Sequence, residues 1–231
     1  MLTPDTTHSP KSSLTCTWDE ESDCLNCEIT GELDCKWEQH LLIRFYKGAL
    51  PLIIFAIAGF FIVGFLVSWI PAFLYVGFWI FFFGFFEIRI LCSHCPYYAE
   101  EGRTLHCLAN HGTIKIWKYN PNPLNSFEKV GFLAGVLFFV FFPVLTELWG
   151  LIEINRSSPS PHLASFILLG LIFLGITGGL FFFYILRKKI CPKCVNFSCP
   201  LNKVPKTIVS AYLDRNPVMK EAWLKSGYHY E

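Results

Sequence analysis

GALPLIIFAIAGFFIVGFLVSWIPAFLYVGFWIFFFGFF, residues 48–86, carries no charged side chain. As one helix rising 1.5 Å per residue it would be about 58 Å long, roughly twice the hydrocarbon thickness of a bilayer, so it must fold back once. Pro71 marks the reversal, because proline lacks the N–H that a continuing helix uses and biases the preceding residue away from helical backbone. The pattern predicts a first helix over about 49–69 and a second over about 72–91. A third apolar stretch starts after Glu128-Lys129 and runs to about Leu151, and a fourth runs from Leu163 to Leu186 without a charge. Four spans return both termini to one side. The expected fold is an all-α membrane protein of four transmembrane helices.

All ten cysteines lie outside these spans, and an even number of crossings puts them on one side. Arg44, Lys47, Arg89, Arg103, Lys129, Arg187, Lys188 and Lys189 flank the spans there, whereas the loop near 151–162 on the opposite side holds only Arg156. Basic residues stay in the cytoplasm, so the cysteines and both termini are expected to be cytoplasmic, with the chain multi-pass in the inner cell membrane. The polar, cysteine-rich first 40 residues do not read as a secretory signal. Net charge is +1, with basic residues spent on orientation, which argues against nucleic acid as a partner. Membrane lipid, and a protein partner or a second copy of the chain, are the expected contacts.

Cytosolic thiols are kept reduced, so clustered cysteines there read as metal ligands; an inverted topology would make them extracellular disulfides. The first group, residues 1–47, reads Cys16-x7-Cys24-x2-Cys27-x7-Cys35, symmetric about a C-x2-C pair whose tight turn lets two sulfurs reach one ion. With few large apolar residues (Leu14, Trp18, Leu25, Ile29, Leu33), this segment is expected to draw its folding energy from metal. After spans 48–91 comes a cysteine and histidine loop, 92–128, holding Cys92-Ser-His-Cys95-Pro-Tyr-Tyr, then His106-Cys107 and His111. Spans 129–186 precede a cysteine-rich helical tail, 187–231, with Cys191-Pro-Lys-Cys194-Val-Asn-Phe-Ser-Cys199-Pro. Cys92, Cys95, Cys191 and Cys194 could form one two-knuckle site, with Cys107 and Cys199, alone or with a histidine, completing a second or remaining free; the spacing does not fix the partition. The whole is expected to be a small cytoplasmic metal-binding cap.

The steps Cys95-Pro96 and Cys199-Pro200 look like the end of a bacterial ferredoxin ligand run, but Cys191, Cys194 and Cys199 have spacings x2 and x4 and the full run is missing. Cys-Pro motifs beside helices also resemble membrane-anchored ferredoxin-type proteins, with different spacings. Zinc asks only for tetrahedral thiolate or imidazole and is preferred, with an iron–sulfur cluster as the alternative. The two motifs are similar to those of a group of functionally unassigned four-span prokaryotic membrane proteins, a resemblance that implies the span layout and no activity.

His94 and His106 read as surface or supporting residues more than ligands, and no histidine lies in a span, which removes bis-histidine haem. Glu147, four residues after Pro143, is expected to be hydrated near the far interface. Gly131-x3-Gly135 and Gly175-x3-Gly179 offer close helix approach, the phenylalanines read as filler, and Trp69, Trp149 and Tyr184 suit the interfaces. In the tail, helical spacing over Thr207–Leu213 is followed by Asn216 as a cap, Pro217 in the first turn and Ser226-Gly227 as a stop. Ile208, Tyr212, Met219 and Trp223 are expected to pack over the cysteines. With no nucleophile elbow, phosphate loop or H-E-x-x-H helix, catalysis is not indicated. An interaction or assembly module is expected, ahead of an iron–sulfur electron carrier and a C-x2-C thiol oxidoreductase.

Overall fold

The computed structural model describes residues 15–19, 22–157 and 163–229; Leu14 and residues 158–162 lie outside them. The described chain is helical, with a single isolated antiparallel bridge between Thr104 and Ile114. The elements are α1 (Gln39–Leu66), α2 (Ile70–Phe81), α3 (Glu87–Ile90), α4 (Ser126–Ser157), α5 (Leu163–Ile185), α6 (Lys206–Asp214) and α7 (Pro217–Lys225). Four continuous helical stretches, Gln39–Leu66, Ile70–His94, Ser126–Ser157 and Leu163–Lys193, are long and apolar enough to cross a membrane. Phe65, Phe73, Ile80 and Leu180 are among the large apolar side chains exposed on them. Water would penalise such a surface by about 25 cal/mol per Å², and hydrocarbon does not. The chain is a multi-pass membrane protein.

α1, α4 and α5 form the tight core of the bundle, while α2 stands at its edge with no buried residue. Glycines set the close approaches. Gly178 of α5 lies against the backbone of Leu52 in α1, where an added methyl would sit 3.6 Å from the Leu52 Cα. The expected glycine pairs separate by partner: Gly175 and Gly179 face Val144 and Val140 of α4, whereas Gly131 and Gly135 receive the rings of Phe86 and Phe82 from the end of the second span. Phe82 is thus buried between the second span and α4, the interhelical role expected of such phenylalanines. At the turn, Trp69 folds back onto Gly64, and Pro71 stands in the first turn of α2.

Two backbone devices serve α4. At its start Glu128 accepts from Asn125 N–H (2.9 Å) while Asn125 Oδ1 accepts from Glu128 N–H (2.9 Å), a reciprocal capping box. Farther along, Pro143 has no N–H for the Phe139 carbonyl four residues back. The Tyr75 hydroxyl of α2 donates to that carbonyl at 2.8 Å. Hydrocarbon offers no water for the purpose, so this bond ties the edge helix to the core. Glu147, by contrast, is not hydrated: it is 2 % exposed, packed against Gly59 of α1, and its Oε2 has no hydrogen-bond partner among the described residues. The reason is the small residue opposite, since a methyl at Gly59 would collide with the carboxyl group.

The Tyr75–Phe139 bond sets the first prediction. Tyr75→Phe should cost about 1–2 kcal/mol in detergent unfolding, since it orphans a carbonyl in an apolar setting. Pro143→Ala supplies the missing N–H, so the penalty should shrink in that background. Equal penalties in the two backgrounds would show that Tyr75 does not serve this carbonyl.

Candidate metal centre

Both loop and tail motifs are set up by the same local sequence of backbone forms. The second span opens into a π turn at Phe82–Phe86, closes through α3, and ends in a 3₁₀ turn at Cys92–His94. The fourth opens into a π turn at Leu186–Ile190 and ends in a 3₁₀ turn at Cys191–Lys193. Such widened turns recur at functional sites. The last cysteine of each pair then leaves in nearly the same extended conformation: Cys95 at φ −83°, ψ 137° and Cys194 at φ −78°, ψ 126°. The two C-x2-C pairs are therefore matching knuckles at the same end of the second and fourth spans.

The knuckles share one core. Cys92 and Cys95 are buried with Ile88, Leu105, Val195, Tyr212, Leu213, Met219 and Trp223, and Ile208 packs at the edge of the same cluster. Asn196 Nδ2 donates to the Leu91 carbonyl (3.1 Å), and Lys203 N–H to the Cys191 carbonyl (3.2 Å). The Cys95 thiol lies in the electrostatic field of Cys107, Cys194 and Cys199, and Cys194 in that of Cys199, Cys191 and Cys107. All six loop and tail cysteines belong to this group, including Cys92, which feels Cys107 and Cys95.

Cys16, Cys24, Cys27 and Cys35 form a second group, Cys16 feeling Cys24 and Cys27, and Cys35 feeling all three others. Asp23 and Asn26 fix the Cys24-x2-Cys27 turn: Asn26 N–H donates to Asp23 Oδ1 (3.1 Å) and Asn26 Nδ2 to Asp23 Oδ2 (2.8 Å). The segment is pinned across the knuckles. Trp18 Nε1 donates to the Pro96 carbonyl (3.0 Å), Trp37 Nε1 to the Cys107 carbonyl (3.1 Å), the Tyr97 hydroxyl to the Asp34 carbonyl, and Asp34 N–H to the Lys193 carbonyl (2.8 Å).

All ten cysteines are free thiols. Burial, reinforced by the like charge of neighbouring thiolates, pushes Cys35 up to about 12 and raises Cys95 and Cys194 well above the usual range. Burial raises Cys107, and takes Cys199 to about 12. Cys16 is raised by burial, an effect tempered by its hydrogen bond from Asn216. Ionised sulfur is therefore disfavoured at these positions. A bound cation reverses that balance, because it offsets the mutual repulsion and deprotonates its ligands outright.

The donor chemistry suits a thiophilic ion, six sulfurs in one group and four in the other. Among the described residues no three Cys, His, Asp or Glu side chains are drawn together closely enough to hold an ion as they stand. The histidines are engaged elsewhere. His94 is buried, with Nδ1 donating to the Asn122 carbonyl (2.6 Å) and Nε2 3.4 Å from Glu128 Oε1, so it links the loop to the start of α4. His106 pairs with Glu100 (2.7 Å), and His111 stacks on Trp37 with ring centroids 4.4 Å apart.

Two asparagines that no motif announces contact the thiols. Asn110 Nδ2 donates to Cys92 Sγ (3.2 Å) and to Glu87 Oε2 (2.6 Å), holding a buried carboxyl group beside the knuckle. Asn216 stands where a helix cap was expected but does not cap α7. Instead its Oδ1 accepts from Cys16 N–H (2.7 Å), and its Nδ2 donates to the Tyr212 carbonyl (2.7 Å) and to Cys16 Sγ (3.4 Å). Comparison with family models, curated proteins and solved structures finds no match.

Asn216 is fully buried, so Asn216→Ala leaves the Cys16 N–H and the Tyr212 carbonyl without their side-chain partner at a cost of about 2–3 kcal/mol. Hydrogen exchange should then rise through residues 16–37 while the four spans keep their protection. Unchanged exchange in that segment would show that its docking does not pass through Asn216.

Proposed function

We propose that this protein is an integral membrane protein whose cysteine-bearing cap faces the cytoplasm, is held together by thiolate metal sites, with zinc as the ion, and acts as an interaction or assembly module. The observation that carries this is the gathering of ten free thiols, delivered by three distant stretches of sequence, into two groups at one end of a four-helix bundle. Reduced thiols in that number are stable in the cytosol, and the basic residues flanking the spans at that end favour the same side. Zinc binding would add its binding energy to that of the cap. The proposed roles are separate: Cys92, Cys95, Cys107, Cys191, Cys194 and Cys199 supply the loop–tail group, and Cys16, Cys24, Cys27 and Cys35 the amino-terminal one. Among the described residues nothing resembles a reaction centre, and the apolar spans leave lipid and another protein as partners.

Anaerobic purification with elemental analysis is the direct test. Zinc without visible colour is the expected outcome, and Cys92→Ser and Cys191→Ser should remove the same zinc, so that the double variant loses no more than either alone. Iron with thiolate-to-metal absorbance and a dithionite-reducible paramagnetic signal would instead establish a membrane-bound iron–sulfur electron carrier. Orientation is tested separately: a membrane-impermeant maleimide should label no cysteine in intact cells, and strong labelling before lysis would place the cap outside.

A further inference from the structure

The two thiol groups differ in how they meet solvent. In the loop–tail group Cys92, Cys95 and Cys191 are 5 %, 6 % and 7 % exposed, Cys107, Cys194 and Cys199 are half-buried, and none is exposed. Cys24, in contrast, is exposed, and Cys16, Cys27 and Cys35 are half-buried. These four line a cleft of about 360 Å³ together with the charged side chains of Asp34, Lys36, Glu38, Lys193 and Arg215. The Cys24-x2-Cys27 turn is preorganised by Asp23 and Asn26, and Thr30 Oγ1 donates to the Cys24 carbonyl (2.5 Å), so the thiols are presented by an ordered loop.

Ligand exchange at a four-coordinate ion requires an incoming donor to reach the metal before a cysteine leaves, which a closed site forbids and an open one permits. We infer that the amino-terminal thiol group is an exchange site, which takes or gives up a thiophilic d¹⁰ cation through its solvent-facing cleft, whereas the loop–tail group keeps its ion. The charges of the lining fit the carrier: Lys36, Lys193 and Arg215 outnumber Asp34 and Glu38, which suits a cation arriving on an anionic small-molecule ligand. Cys24, being exposed, is the thiolate such a ligand displaces first. The inference rests on the metal-site proposal above and adds a division of roles between its two groups.

Full-length protein in detergent, loaded with zinc and counted by elemental analysis, is challenged with 4-(2-pyridylazo)resorcinol, an anionic chelator whose zinc complex is coloured. Transfer should occur in two separated phases. Cys24→Ser, a substitution at an exposed position that leaves the core untouched, should abolish the fast phase and keep the slow one, and hydrogen exchange of the variant should match the parent outside residues 16–37. Release of all bound zinc in one phase, or a fast phase that survives in Cys24→Ser, would overturn the inference while leaving the metal-site proposal standing. Parent protein that binds no metal would overturn both.

Discussion

Polar chain does not remain in hydrocarbon, because every unpaired backbone group there costs several kcal/mol, and the remaining structure depends on that constraint. It forces the apolar stretches into helices and makes each crossing complete. An even number of crossings then returns the amino-terminal segment, the middle loop and the tail to one end of the bundle, where they share a single apolar cluster. The same constraint acts within the bundle. Pro143 would leave the Phe139 carbonyl bare in a place without water, and the chain answers with a tyrosine on the adjacent helix. The buried Glu147 shows the opposite case, a carboxyl group admitted only because Gly59 leaves room for it.

At the cap the governing constraint is burial, which disfavours ionised sulfur. Sulfurs brought within each other's field, in partial or full burial, raise one another's cost of ionisation. Thiols packed for apolar reasons alone would have no need of two matching knuckles entered through two π turns. The neutral supports, Asn110 on Cys92 and Asn216 on Cys16, donate hydrogen bonds to sulfur without adding charge. A donor to sulfur favours the thiolate form, and so works in the same direction as a cation.

The spans were legible because hydrocarbon selects on composition, which a single sequence displays. α5 begins at Leu163 as expected, and α2 begins at Ile70 beside its proline. The ends that differ lie where the selection changes. α1 starts at Gln39, ten residues before the expected position, because its first turns pack Leu41 into the cap rather than into lipid. α4 starts at Ser126 because Asn125 and Glu128 cap each other, and it continues to Ser157 with Glu153 and Arg156 paired on its last turn. Tyr212, Met219 and Trp223 were readable as a packing face from helical spacing. Glu147, Asn110 and Asn216 were not, since what each does is decided by a residue distant in sequence, Gly59, Glu87 with Cys92, and Cys16 respectively.

The amino-terminal segment changes most between sequence and structure. Its few apolar residues imply a fold supplied by metal alone, yet Ile29 and Leu33 are buried in the common core, and Cys16, Thr17, Trp18, Asp34 and Trp37 all bond to loop or tail. Several hydrogen bonds at about 1 kcal/mol net each, together with two buried aliphatic side chains, are enough to dock a short segment onto a preformed surface. Docking therefore does not have to be carried by an ion. A segment docked in this way keeps its shape whether or not an ion is bound, which is the property the exchange proposal requires of the amino-terminal group.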